Sequence, residues 1–247
     1  MKLNIKNFTV VMKKATVNHM NDYCQLTFEN NKIKCSLINQ EQNLISRLNI
    51  DDDIFDELDE SLELNMSMPE VNIIPYLQLF DSETVDVEYT KMRNNIVSVL
   101  KLKEGDIQTK INLSEPVISR YFSKNPSSLK SAFKIEVDSV FKESFDKIKK
   151  IASRTNKIYF VSEKNRFYLE SGDRSVPYIN SVRVDMNSDC SSDFASQYQY
   201  KNVHSLLSVL SEEKDYYLEL LTNGKANISY IYDEDKTEEY YILPQQI

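Results

Sequence analysis

The residues whose types and spacing could do chemistry in this chain are cations on helix faces. Projected at about 100° per residue, the segment Ser139–Ser153 gathers Lys142, Lys147, Lys149 and Lys150 on one side, with Arg154 just beyond. Phe141, Phe145, Ile148, Ile151 and Ala152 fall on the other side, and only Glu143 and Asp146 offset the positive charge. A second projection, Asn7–Met20, sets Phe8, Val11, Met12 and Ala15 against Thr9, Lys13, Lys14 and Thr16, the polar side being diluted by Val10 and Val17. A third, Asn202–Leu210, turns Val203, Leu206, Leu207 and Leu210 inward, and Lys201, His204, Ser205 and Ser208 outward. One lysine on a helix face is usually just solvated. Recurrence on matching helices makes a footprint for phosphates instead. No side chain reads as a base-edge reader, so contact with nucleic acid is expected to be independent of sequence.

Other chemistry is sparse. An enzyme needs a constellation, and none is legible. The two histidines, His19 and His204, are far apart, and three glycines are too few for a phosphate-cradling loop. Neither a nucleophile elbow nor a Cys/His ligand set is present. The run Asp51-Asp52-Asp53 with Asp56, Glu57, Asp59 and Glu60 has hard-cation donors, but reads first as a solvated acidic loop. No catalytic activity, metal or cofactor is expected. Cys24, Cys35 and Cys190 are odd in number and lack metal-ligand spacing. Cys24 and Cys35 share the apolar parity of Leu26, Phe28, Ile33 and Leu37, so they read as reduced core residues and point to a cytoplasmic compartment. No apolar h-region opens the sequence and no run approaches a membrane span. The net charge of −8 argues against bulk adhesion to nucleic acid, but not against a local basic face.

The elements that must carry these helices occur twice. Alternation and turn residues predict a strand at Lys2–Lys6, a helix capped by Asn7 and running to Met20, then strands Tyr23–Glu29, Lys32–Ile38, Leu44–Ile50 and Ser61–Ser67. A short helix over Asn72–Phe80, with Pro75 in its first turn, and strands Thr84–Thr90, Asn95–Lys101 and Ile107–Leu113 follow. The second half repeats this order. Its strand Phe133–Asp138 precedes a helix capped by Ser139. Strands Lys157–Ser162, Arg166–Ser171, Tyr178–Met186 and Phe194–Tyr200, the helix Asn202–Leu210, and strands Tyr216–Thr222, Lys225–Tyr232 and Glu238–Leu243 complete it. Matching elements stay about 130 residues apart, a repeat whose unit is a whole α+β domain. The reading is therefore two similar domains, 1–113 and 133–247, joined by a connecting loop over 114–132. That loop carries Val117, Ile118, Tyr121 and Phe122, more apolar surface than a passive tether needs.

This organisation resembles the two-domain sliding clamps, proliferating cell nuclear antigen and the clamps of T-even-like phages. The ending Tyr240-Tyr241-Ile242-Leu243-Pro244 is similar to the Tyr-Tyr-Leu-Ala-Pro ending of the eukaryotic clamp. The resemblance implies an α+β clamp fold with two helices per domain packed on antiparallel sheets. It implies a head-to-tail homotrimeric ring around double-stranded DNA that tethers a DNA polymerase and is opened by an ATP-dependent clamp loader. Lys13, Lys14, Lys142, Lys147, Lys149, Lys150, Arg154, Lys201 and His204 would face DNA. Ile107, Thr109, Ile111 and Leu113 of one subunit would meet Tyr178, Asn180, Val182 and Val184 of the next. Val117, Ile118, Tyr121, Phe122, Ile242, Leu243 and Pro244 would line a groove for partner peptides. The chain departs from the clamp pattern near Ile74–Phe80, where clamps carry Lys or Arg and this sequence has none. Two other readings stay open: a non-ring viral processivity factor of the same fold, and an oligomeric viral structural protein.

Overall fold

The computed structural model describes residues 1–18, 20, 23–29, 32–39, 41–50, 54–56, 64–69, 73–92, 96–113, 131–172, 181–190, 193–221, 226–233 and 236–245. The chain divides into two compact units. One comprises Met1–Gln40, Ile45–Lys124 and Ile231–Glu238, the other Glu41–Leu44, Asn125–Tyr230 and Glu239–Ile247. The predicted connecting loop, with Val117, Ile118, Tyr121 and Phe122, lies outside the described residues apart from its last two positions, as do His19 and most of the acidic run after Ile50.

In the first unit, β1 (Lys2–Asn4) leads directly into helix α1 (Ile5–Ala15). Strands β2 (Tyr23–Glu29), β3 (Lys32–Ile38) and β4 (Leu44–Ile50) follow, then β5 (Leu64–Pro69), a single helical turn α2 (Ile74–Leu77), and β6 (Thr84–Lys91), β7 (Val97–Glu104) and β8 (Ile107–Asn112). One antiparallel sheet runs β1-β6-β7-β8, and β5-β2-β3-β4 follow one another in a second. Glu104 pairs with Ile107 across the β7–β8 turn, and Gly105 takes φ +55 there, a left-handed position that suits glycine. Phe8 of α1 and Leu77 of α2 reach into the same apolar interior as Leu3, Val87, Leu100 and Leu102.

The second unit is built in the same order. It runs β9 (Ser131–Glu136), α3 (Ser139–Thr155), β10 (Lys157–Glu163), β11 (Arg166–Ser171), β12 (Val182–Asp189), β13 (Phe194–Gln199), α4 (Tyr200–Val209), β14 (Tyr217–Leu221), β15 (Ala226–Asp233) and β16 (Lys236–Ile242), with Ile231–Glu238 of the last two strands belonging to the first unit. Helix α3 lies on β10, β11 and β12, and α4 lies against β13 and α3. The core under them is aromatic: Phe160 is 4.8 Å from Tyr198 and 6.0 Å from Phe167, ring centre to ring centre. Lys164 and Asn165, at φ +54 and +63, close the two-residue β10–β11 hairpin, the arrangement of a type I′ turn. The fold is thus α+β, with two similar halves whose helices pack on antiparallel sheets. Cys35 and Cys190 are buried free thiols. Among the described residues no helix is long and apolar enough to cross a membrane.

Two helix starts differ from the sequence expectation. The cap of α1 is Asn4, whose side chain accepts the Asn7 N–H at 3.0 Å, so Asn7 lies inside the helix. The cap of α3 is Asp138, which accepts the Phe141 N–H at 2.8 Å; Ser139 is the first helical residue. In both cases another capping residue stands just upstream, and a cap must accept from the N–H three residues on. Helix α1 also stops at Ala15 rather than Met20. Val17 and Asn18 turn left-handed, at φ 48 and 57. Thr16 and Val17, expected on the polar side, are fully buried. The Thr16 hydroxyl donates to the Met12 carbonyl, and the Ala15 carbonyl accepts from Ser46 Oγ, so side chains meet the helix end's backbone demand.

Candidate nucleic-acid interface

Helix α3 carries the densest charge. Its buried side, Phe141, Ser144, Phe145, Ile148 and Ala152, is set by three-to-four-residue spacing. That fixes the opposite side: Lys147, Lys149, Lys150 and Arg154 are exposed, and Lys142 is half-buried. Glu143 and Asp146 share this surface. Lys149 Nζ is 3.9 Å from Asp146, a long, exposed contact that neutralises little. Among the described residues no ion pair ties down Lys147, Lys150 or Arg154.

Helix α4 is docked beside it. Phe145 stacks on Tyr200 with ring centres 5.6 Å apart, and burial together with the nearby Asp146 carboxylate raises the Tyr200 hydroxyl pKa. Asn156, the left-handed residue that ends α3, accepts the Lys201 N–H through its side chain at 3.0 Å and the Tyr200 N–H through its carbonyl at 3.1 Å. One residue therefore closes α3 and fixes the first turn of α4. His204 sits 5.4 Å from the Tyr200 ring and 6.4 Å from the Phe145 ring, packed between the helices rather than standing out among the cations. Lys201 is exposed and held by Glu41 at 2.8 Å.

The face of α1 is thinner. Lys6, Asn7, Val10 and Lys13 are its exposed residues, against the buried Phe8, Met12 and Ala15. Lys6 is a cation that the sequence reading placed in the preceding strand; the Asn4 cap puts it in the first turn. Lys14 bonds to Glu238 at 2.9 Å, with the two side chains only 18% and 13% exposed. The turn α2 contributes no charge and leaves Tyr76 exposed, as is Leu79 just after it.

The remaining candidate residues fall into two groups. Strand β8 ends one sheet and β12 ends another, so the two strands expected to meet between subunits are both edges. Along β8, Ile107 is exposed, Thr109 and Leu113 half-buried, and Ile111 buried. Tyr178 and Asn180 lie outside the described residues, and Val182 and Val184 on β12 are half-buried. Between these valines, Arg183 bonds to Glu163 at 2.7 Å and to Glu170 at 2.9 Å, and lies 4.9 Å over the Tyr168 ring. The hydrogen bond from Arg183 holds the Glu163 carboxyl below its usual pKa. At the C-terminus, Ile242 is fully buried, while Leu243 and Pro244 are half-buried. The Leu243 N–H reaches the Asn43 carbonyl, and Gln245 pairs with Gln197 through backbone and side chain.

No family model and no curated protein matches the sequence. Solved structures do match it. PCNA from A. fulgidus, determined with the C-terminal region of FEN-1 bound, has a TM-score of 0.70 at 15% identity, covering 100% of this chain and 98% of its own. PCNA from Entamoeba histolytica gives 0.66 at 16% identity, over 99% of this chain and 98% of its own. A PCNA2–PCNA3 complex from Sulfolobus tokodaii gives 0.64 at 15% identity, with 99% coverage on both sides.

Proposed function

We propose that this chain, which has the sliding-clamp fold, is a clamp subunit that encircles duplex DNA and tethers a DNA polymerase without catalysing a reaction. The observation that carries this reading is the exposed row Lys147, Lys149, Lys150 and Arg154 on α3, a concentrated basic face on a chain of net charge −8. A ring need not bind tightly to stay on DNA. Non-specific phosphate contacts permit sliding, and an acidic body disfavours wrapping DNA outside.

The edges are where the proposed ring would close. An unpaired edge strand invites another strand, and head-to-tail pairing of β8 with β12 of the next copy would be a heterologous contact, which makes a ring when the rotation per subunit closes. Three two-domain copies give a homotrimer. Val182 and Val184 would face the junction while the Arg183 cluster stiffens the strand between them. A loader ATPase would open this junction. Partner peptides would dock beside the C-terminal tail. There the half-buried Leu243 and Pro244 would supply apolar surface while the buried Ile242 anchors the strand; that Val117, Ile118, Tyr121 and Phe122, outside the described residues, add to it is part of the proposal. The A. fulgidus PCNA structure with a bound C-terminal region supports a peptide as the kind of ligand. A cytoplasmic setting is part of the same proposal.

The deciding experiment is native mass at low micromolar concentration, alone and with primed circular DNA, alongside polymerase processivity. A trimer retained on circles and lost from linear ends is the expected result. Monomers across a wide concentration range would remove the ring and leave a non-ring processivity factor. Normal processivity with Lys147, Lys149 and Lys150 all changed to Glu would remove the DNA-facing assignment of α3.

A further inference from the structure

Lys201, at the margin of the basic face, has its counter-charge built in. Glu41 Oε1 accepts from its ammonium at 2.8 Å. Glu41 Oε2 accepts from Gln199 Nε2 at 2.6 Å and from Asn43 Nδ2 at 3.0 Å. Three donors thus converge on one carboxylate, as donors converge on a phosphate group. The loop that carries Glu41 is itself fixed. Asn43 Oδ1 accepts from the buried Asn202 of α4 at 2.8 Å, and the Asn43 carbonyl accepts the Leu243 N–H at 2.8 Å. The carboxylate is therefore positioned on α4 and does not swing freely in solvent. The hydrogen bond from Lys201 is also the largest cause of the lowered pKa of Glu41.

The pair is nevertheless open to competition. The Lys201 and Glu41 side chains are 44% and 46% exposed. Exposed pairs contribute little to stability, so a phosphate can take the place of the carboxylate at low cost. Lys14–Glu238 differs: at 18% and 13% exposure the pair is largely shielded from solvent, and separating it would cost more. Between Lys14 and Lys201, Lys201 is the exchangeable one.

We infer that Glu41 is an internal stand-in for phosphate, occupying Lys201 in the absence of DNA and competing with duplex DNA for it, so that the affinity of the face is held down. This rests on the reading of the α3–α4 face as DNA-facing. Its physical sense is that a clamp has to slide. One cation that must exchange partners before it grips a phosphate contributes less holding force than one that is already free. Lys147, Lys150 and Arg154 supply the standing field, and Lys201 adds a contact only against competition.

The test is anisotropy of a labelled blunt-ended duplex titrated with the full chain across a salt series. Wild type, Glu41→Gln, Lys201→Gln, the double variant and Lys150→Gln are compared. Glu41→Gln is expected to bind roughly two- to fivefold tighter at low salt, with a log K against log salt slope steeper by about one. The double variant should lose that gain, and Lys201→Gln alone should weaken binding less than Lys150→Gln. If Glu41→Gln matches wild type in affinity and slope while Lys150→Gln weakens binding, Glu41 is no competitor and the DNA-facing reading survives without it. Equal losses from Lys201→Gln and Lys150→Gln overturn the inference as well, and that comparison stands should Glu41→Gln fail to fold. Salt-independent or absent binding in every protein overturns both readings.

Discussion

Turned outward, α1 presents Lys6, Val10 and Lys13, whereas α3 presents Lys147, Lys149, Lys150 and Arg154 with Glu143 and Asp146 among them. Turned inward, the two helices are nearly alike: Phe8, Met12 and Ala15 in one, Phe141, Phe145, Ile148 and Ala152 in the other. The companion helices diverge in the same sense. The turn α2 shows solvent Tyr76, with Leu79 just after it, while α4 shows Lys201. Packing requires only that the apolar stripe recur, so both halves keep it. Outward charge is free to drift apart, and here it is concentrated in the second half. The proposed clamp would therefore hold DNA unevenly, with one half supplying most of the attraction and the other a weakly charged, partly apolar wall.

The largest expected effect probes the inward side of this comparison. Phe145→Ala removes a buried ring that also stacks on Tyr200, and should lower stability by about 3–5 kcal/mol. Phe8→Ala should fall in the same range, because both rings fill cores of the same kind. Denaturant unfolding followed by circular dichroism suits a chain without tryptophan. The two variants should separate in duplex affinity. Phe145→Ala loosens the seat of α4 against α3 and should weaken DNA binding among molecules still folded, while Phe8→Ala should leave it near wild type. Equal losses would mean that the halves share the DNA contact.

Charge reversal addresses the outward side. Changing Lys147, Lys149 and Lys150 to Glu should reduce duplex affinity at least about tenfold at low salt and flatten the salt dependence by roughly one unit of slope per lysine that had touched a phosphate. Lys6 and Lys13 changed to Glu should cost distinctly less than the α3 set. If the α1 pair costs as much, the unevenness argued above is wrong, whatever the fold.

Smaller again are the caps. Asp138→Ala and Asn4→Ala should each lower stability by about 1 kcal/mol, and Ser139→Ala and Asn7→Ala by much less. Thermal melts of the four variants are enough to tell. These caps also mark what was legible from sequence. The repeat, the α+β class and strands such as Lys32–Ile38 and Arg166–Ser171 could be read because alternation is a local signal. The cap positions were off by three residues and by one, because two capping-competent residues stood close together and only geometry chooses between them. Lys6 was missed as a direct consequence. Lys14 and Lys201 were legible as outward cations, but their partners Glu238 and Glu41 lie 224 and 160 residues away, beyond the reach of any helical projection. His204 was read as outward because a projection does not show that Phe145 of another helix fills the space beside it.

The smallest effect is the pH response of the Glu41 pair. Its three hydrogen bonds, led by that from Lys201, lower the Glu41 pKa in the folded chain. A depressed carboxylate contributes stability that is fully present above the unfolded-state pKa, about 4.3 for Glu. That contribution is lost as pH falls through the folded-state value. Wild type should therefore exceed Glu41→Gln in stability at neutral pH, and the two curves should converge on acidification below about pH 4. At 46% exposure of Glu41 the neutral-pH gap should stay within about 1 kcal/mol. Glu238→Gln offers the contrast from the other half. Its lysine partner is 18% exposed, so losing the full charge should cost more than at Glu41 when both are measured at neutral pH. Paired urea titrations at neutral and acid pH decide the matter. A Glu41→Gln gap that persists unchanged into acid would mean that the residue acts through packing or its neutral hydrogen bonds, and that its charge is not what holds Lys201.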